Sequence, residues 1–125
     1  MSISKRDQNV IWHPYTQMME TKPPIPIVKG EGAYLYDEND EIYIDAISSW
    51  WVNLHGHSNA YIADAIAKQA HTLEHVIFAG FTHEPAVQLA EQLLQLLPGE
   101  FSKIFYSDNG STATEVAVKI ALQYW

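Results

Sequence analysis

The chain has 125 residues, 47% hydrophobic and 18% charged, enough to bury a real core in one soluble domain and too apolar for a disordered segment. Its 7 basic residues against 15 acidic ones leave a net charge of -8, which disfavours nucleic acid or anionic lipid as a main partner. There is no cysteine, which excludes disulfides, thiolate catalysis and cysteine-ligated metals.

The opening Met1-Ser2-Ile3-Ser4-Lys5-Arg6-Asp7 lacks the apolar run of a signal peptide. No apolar stretch approaches the roughly 18 residues needed to cross a bilayer, so a cytoplasmic protein is expected. From Trp12 to Lys29, Pro14, Pro23, Pro24 and Pro26 deny a long helix and predict an extended, turn-rich arm, not a core element. The arm carries the aromatic cluster Trp12-His13-Pro14-Tyr15, of the kind that docks on another surface. Next, Ala33-Tyr34-Leu35-Tyr36 and Ile42-Tyr43-Ile44 are β-branched and aromatic runs joined by Asp37-Glu38-Asn39-Asp40-Glu41, which predicts a hairpin. Asn39 and Asp40 tolerate the left-handed backbone that such a turn requires.

The pair Trp50-Trp51, between Ser48-Ser49 and Val52-Asn53-Leu54-His55-Gly56-His57, falls in a stretch too irregular for one element. Adjacent side chains on a strand point to opposite faces, so at least one tryptophan is expected to line a cavity or interface. Packing of both beside an irregular turn is the plainer alternative.

From Asn59, a capping residue, Ile62, Ala65, Ile66, Gln69, Ala70 and Leu73 recur at helical spacing. After a loop containing Gly80, Thr82-His83-Glu84-Pro85 forms a cap with proline in the first turn of a second helix. Its stripe is Leu89, Ala90, Leu93, Leu94 and Leu97, and Pro98-Gly99 ends it. Lys103-Ile104-Phe105-Tyr106 then reads as a buried strand feeding the turn Ser107 to Thr112 and a helix from Ala113 to Trp125. This order opens an α/β domain. One strand makes no sheet, and the last helix, apolar at Val116, Ala117, Ile120, Ala121 and Tyr124, has nothing downstream to cover it. The expectation is an N-terminal piece of a longer chain.

The Gly110-Ser111 turn is a candidate anion site. Gly110 permits positive φ and close approach of a ligand, while Ser111 and Thr112 offer hydroxyls and amides where the helix dipole favours negative charge. A capping box between Thr112 and Glu115 would explain the same residues without a ligand, and Asp108 suits an anion only if it points away. His71-Thr72-Leu73-Glu74-His75 fits H-x-x-E-H, in which His71 and His75 bind zinc from one helical face while Glu74 activates water. No third ligand is evident, and His75 reads more simply as a loop residue after a helix end. His55-Gly56-His57 has metal-like spacing but no partner set, and no metal site is expected.

Taken together, Trp12-His13-Pro14-Tyr15-Thr16-Gln17-Met18, Ser48-Ser49-Trp50-Trp51, the segment from His75-Val76 to Thr82-His83, and Asn109-Gly110-Ser111 leading to Ala121-Leu122-Gln123-Tyr124-Trp125 resemble the class-III, pyridoxal-phosphate-dependent aminotransferases. The resemblance covers essentially all 125 residues but only the N-terminal part of the family's chain. It implies an α/β, fold-type-I transferase, with the arm and β-hairpin of the small domain in 1–58 and the start of the large cofactor-binding domain in 59–125. It also implies pyridoxal 5'-phosphate as cofactor, its phosphate held by Gly110 and Ser111, with Tyr15 beside it. Trp50, Tyr15 and Trp51 become the wall of the keto-substrate pocket.

The Trp-His-Pro-Tyr-Thr arm and the Ser-Ser-Trp-Trp element resemble the branch that serves biotin biosynthesis, which moves an amino group from S-adenosylmethionine to 8-amino-7-oxononanoate. Family members usually act as homodimers. Lys103 and Lys119 do not match the motif of the cofactor-linked lysine, so no catalytic residue is expected within the segment. The alternatives are another class-III ω-aminotransferase, an H-x-x-E-H zinc peptidase segment, or a small non-enzymatic binding module. The chain departs from many relatives at Asp40, where glycine is common, and at Ser58-Asn59, where a His-Pro step is common.

Overall fold

The computed structural model describes residues 1–17 and 19–125, so Met18, the last residue of the arm motif, lies outside the described residues. Two compact units follow one another, Met1–Glu74 and His75–Trp125.

The first unit starts with a helix that the apolar periodicity did not announce, α1 at Ile3–Val10. Its signal is the cap: Ser2 is extended, and its hydroxyl oxygen accepts from the Lys5 amide at 3.4 Å. The arm is tied to this helix by His13, whose Nε2 donates to Asp7 Oδ1 at 2.8 Å, and it turns where Thr16 Oγ1 donates to the His13 carbonyl at 2.7 Å.

A three-stranded antiparallel sheet follows in the order β1-β2-β3, with β1 at Ile27–Glu31, β2 at Tyr34–Asp37 and β3 at Ile42–Ile44. The β2–β3 hairpin is the predicted one, with Tyr34 opposite Ile44 and Leu35 opposite Tyr43. Strand β1 corrects the expectation that the turn-rich arm extends to Lys29. The β-branched pair Ile27-Val28 suits a strand, and Gly32, at φ 56°, reverses the chain so that Glu31 faces Tyr34. In the β2–β3 turn Asp40 takes φ 63°, the left-handed region that Asp tolerates better than most residues. The turn is built on the Asp37 carboxylate, which accepts from the amides of Asn39 and Glu41 at 2.8 and 3.0 Å. Burial works to raise the Asp37 pKa, but these amides and the Tyr43 hydroxyl outweigh it and hold the carboxyl below its ordinary value.

Helix α2, Ala60–Thr72, begins as predicted at Asn59, whose Oδ1 accepts from the Ile62 amide at 3.2 Å. In the second unit α3, Glu84–Leu96, carries Pro85 in its first turn, and Gly99 follows its end at φ 97°. Helix α4, Gly110–Tyr124, runs for 15 residues. The predicted strand at Lys103 to Tyr106 is not formed: a strand exists only by pairing, and no described segment pairs with it. Tyr106 instead donates its hydroxyl to the Ala86 carbonyl at 2.6 Å and meets Phe78 edge-on at 6.0 Å. Ala86, Ala90, Leu93 and Leu94 form the half-buried stripe of α3, while among the described residues no apolar side chain is fully buried. No described helix is long and apolar enough to cross a membrane.

Candidate active site

In the first unit the chain brings together Tyr15, Trp50 and Trp51, residues far apart in sequence. The Tyr15 and Trp50 rings are stacked, with centroids 6.3 Å and planes 7° apart, and Trp51 meets Trp50 edge-on at 5.9 Å and 73°. Their exposures of 93%, 61% and 69% leave this aromatic surface open to a ligand.

Both tryptophans stand on the segment Ser48–Trp51, whose four residues have φ of 50°, 47°, 68° and 63°. This is one turn of left-handed helix, closed by Trp51 N donating to Ile47 O at 2.8 Å and Val52 N donating to Ser48 O at 3.0 Å. Within a stretch that is irregular through His57, as the sequence leads one to expect, these four residues form one short turn, and neither strand alternation nor core packing describes the tryptophan pair. A left-handed turn crowds each Cβ against the following carbonyl, at roughly 1–2 kcal/mol per non-glycine residue, and persists only where its surroundings enforce it.

The side-chain contact to this turn comes from Asp45, just past β3. Its amide donates to the Ala33 carbonyl at 2.9 Å, and its side chain is only 6% exposed. The carboxylate Oδ2 accepts from the Ser49 hydroxyl at 2.7 Å and from His57 Nε2 at 2.8 Å. Hydrogen bonds from Ser49 first, and then from His57, hold the Asp45 carboxyl at about 2, below the ordinary 3.8. His57 is fixed in turn: its amide donates to Gly32 O at 2.8 Å, its carbonyl accepts from Gly32 N at 3.1 Å, and Asn53 Nδ2 donates to its Nδ1 at 3.4 Å. Gly30 gives the ring its room, since a Cβ there would lie 2.8 Å from His57 Cβ and Cγ. Sequence reading missed Asp45 and weighed His57 only as half of a metal-like pair. The usable signal was a carboxylate closing a strand with serine and histidine downstream, and only folding shows that they meet.

In the second unit the residues predicted to hold an anion open α4. Gly110 is the first helical residue, and the positive φ that glycine permits is not used there. The space over it is open, since a Cβ built on it meets nothing within 4 Å. The predicted capping box between Thr112 and Glu115 is also replaced. Asn109 Oδ1 accepts from the Thr112 amide at 3.0 Å, and Thr112 Oγ1 accepts from the Asn109 amide at 3.2 Å. Glu115 pairs instead with Lys119 at 2.6 Å, one helical turn on.

This cap consumes Asn109 and Thr112 and leaves the rest of the helix start open. The Ala113 amide bonds to Asn109 O at 3.0 Å, whereas the amides of Gly110 and Ser111 and the Ser111 hydroxyl find no acceptor among the described residues. Two free amides, a hydroxyl and an unfilled space over a glycine at the positive end of a 15-residue helix suit a phosphate group.

The zinc alternative loses its premise. His71 lies in α2, which ends at Thr72, so Glu74 and His75 fall beyond the helix and the one-face arrangement of H-x-x-E-H is not formed. Among the described residues no group of three His, Cys, Asp or Glu is placed to hold a metal ion.

The family model for class-III aminotransferases matches residues 15–125. Among curated relatives, the adenosylmethionine-8-amino-7-oxononanoate aminotransferase of Synechococcus elongatus is 56% identical over 115 residues, covering 92% of this chain and 27% of its own. The Staphylococcus aureus protein of the same name is 42% identical over 125 residues, covering 98% and 28%. Among solved structures, the enzyme of that name from Methanocaldococcus jannaschii superposes with a TM-score of 0.88 at 44% identity, over 97% of this chain and 28% of that one. The omega transaminase of Pseudomonas jessenii in complex with PMP gives 0.86 at 34% identity, over 95% and 27%. The chain thus spans about 28% of the length of the relatives it matches.

Proposed function

The chain belongs to the class-III aminotransferase family, and on that premise we propose that it supplies the phosphate grip and an aromatic substrate wall to an enzyme of biotin biosynthesis. The enzyme transfers the amino group of S-adenosylmethionine to 8-amino-7-oxononanoate, giving 7,8-diaminononanoate. The fold is that of the N-terminal part of a fold-type-I transferase, and the family depends on pyridoxal phosphate. That cofactor, when bound, would supply the electron sink for amino-group transfer.

The chain's own residues bind and orient. The Gly110 and Ser111 amides and the Ser111 hydroxyl hold the phosphate, while Tyr15 serves both the cofactor and the keto substrate. Trp50 and Trp51 wall the substrate's methylene chain, whose burial is worth about 0.8 kcal/mol per CH₂. Residues 1–58 are assigned to the arm and hairpin of a small domain, and 59–125 to the start of a large cofactor-binding domain. The enzyme is a cytoplasmic homodimer in this reading, with its cofactor-linked lysine outside this segment.

The observation that carries the reading is the aromatic surface itself, Tyr15 stacked on Trp50 with Trp51 at its edge. Purified full-length enzyme carrying this segment is expected to form 7,8-diaminononanoate from the two named substrates, measured by mass spectrometry of the product. Turnover of simple ω-amines with no turnover of 8-amino-7-oxononanoate would place the enzyme elsewhere in the family.

A further inference from the structure

We propose that Asp45 is a positioning residue: with Ser49 and His57 it clamps the left-handed turn Ser48–Trp51 to the sheet and so sets the orientation of Trp50 in the substrate wall. The inference rests on the reading of Trp50 as a wall residue.

Backbone bonds from residue i to i-4 close a helical turn of either hand, so the bonds from Trp51 to Ile47 and from Val52 to Ser48 do not select the left-handed one. A side-chain contact does, because reversing the hand re-aims every Cα–Cβ bond in the turn. Among the described residues, the turn's one side-chain hydrogen bond is Ser49 Oγ to Asp45 Oδ2, at 2.7 Å. Its acceptor is itself immobilised. The Asp45 backbone is tied to Ala33, and the same carboxylate oxygen takes the His57 Nε2 bond at 2.8 Å.

His57 is tied to the β1–β2 connection as well. It exchanges two backbone bonds with Gly32, its ring rests against Gly30, and the next residue, Ser58, donates its hydroxyl to the Gly30 carbonyl at 2.7 Å. A line of short contacts therefore runs from β1 and the β1–β2 connection through His57 and Asp45 to Ser49, the residue before Trp50. Groups held within a few tenths of an ångström by rigid elements are what a binding wall needs in order to recognise one substrate shape. A strained turn released from its clamp relaxes, and the Tyr15–Trp50 stack goes with it.

The test uses the full-length enzyme. Asp45→Ala is expected to raise KM for the keto substrate about tenfold, the effect of losing one hydrogen bond to a charged group. With chemistry untouched, kcat should stay within about twofold of the parent. Asp45→Asn, which keeps an acceptor oxygen for Ser49, should recover most of the loss. Ser49→Ala should raise KM in the same sense, and because it leaves the Asp45–His57 contact in place it decides the matter even if Asp45→Ala does not fold. If Trp50→Ala raises KM while both Asp45→Ala and Ser49→Ala lower only the thermal midpoint, the positioning role is wrong. If Trp50→Ala itself leaves KM unchanged, the wall reading has failed. The near-ultraviolet circular dichroism of the edge-on Trp50–Trp51 pair then decides positioning alone: its collapse in Ser49→Ala supports the clamp, and its persistence overturns it.

Discussion

Ser111 illustrates how a residue free of internal duties becomes available to a ligand: its amide and hydroxyl find no acceptor among the described residues, while its neighbours Asn109 and Thr112 satisfy each other. In the full-length enzyme Ser111→Ala is expected to weaken cofactor retention by about 1.5–3 kcal/mol, read by equilibrium dialysis of the cofactor, since the bond lost is to a charged group. Unchanged affinity would remove Ser111 from the phosphate grip. Asp45 carries a pH prediction. Its carboxyl is held at about 2 against an ordinary 3.8, so the stability it contributes is complete above about pH 4 and is lost as pH falls through 2. The tryptophan signal in near-ultraviolet circular dichroism should accordingly be flat from neutrality to about pH 4 and fade below it, and in Asp45→Asn that acid step should be absent. The sequence named Ser111, Trp50 and Tyr15 by their motifs, but it could not name Asp45, whose role depends on contacts with Ser49 and His57 formed only on folding.

At the scale of elements, local rules were good where a cap or a turn residue decides the outcome. Asn59 and Pro85 start α2 and α3 where their side-chain chemistry says they should, and the β2–β3 hairpin pairs its aromatic and β-branched residues as expected. The same rules failed where the outcome needs a partner: β1 exists because β2 lies beside it, and the segment Lys103 to Tyr106 is no strand because no described segment pairs with it. The start of α4 separates structure from ligand binding. Asn109→Ala removes the cap and should cost about 1 kcal/mol of stability, measured by denaturant titration. Gly110→Ala should do the opposite. It fills space that is open in the structure and suits a helix better, so the cofactor-free protein is expected to hold or gain up to about 1 kcal/mol while its cofactor affinity falls. A loss of stability with affinity intact would mean that the glycine serves the backbone and not a phosphate.

Across the whole molecule the apolar faces outnumber the surfaces available to cover them. Ile62 and Ile66 on α2 and Val118 and Ile120 on α4 stay exposed, and among the described residues no apolar side chain is fully buried. Burial is the main term that offsets chain entropy. Residues 1–125 expressed alone are therefore expected to bind a hydrophobic dye and to melt without a cooperative transition, by calorimetry; a sharp transition with a normal enthalpy would show that the chain sustains its own core. By itself the sequence determined the family, the starts of α2 and α3, the hairpin and the identities of the aromatic and phosphate-binding candidates, because these follow from residue chemistry within a few positions. Only the tertiary structure decided that Tyr15 stacks on Trp50, that Ser48–Trp51 winds left-handed, and that Asp45 and His57 hold it there. The hand of a short turn is a contest between local strain, which the sequence carries, and distant hydrogen bonds, which exist only once the chain has folded.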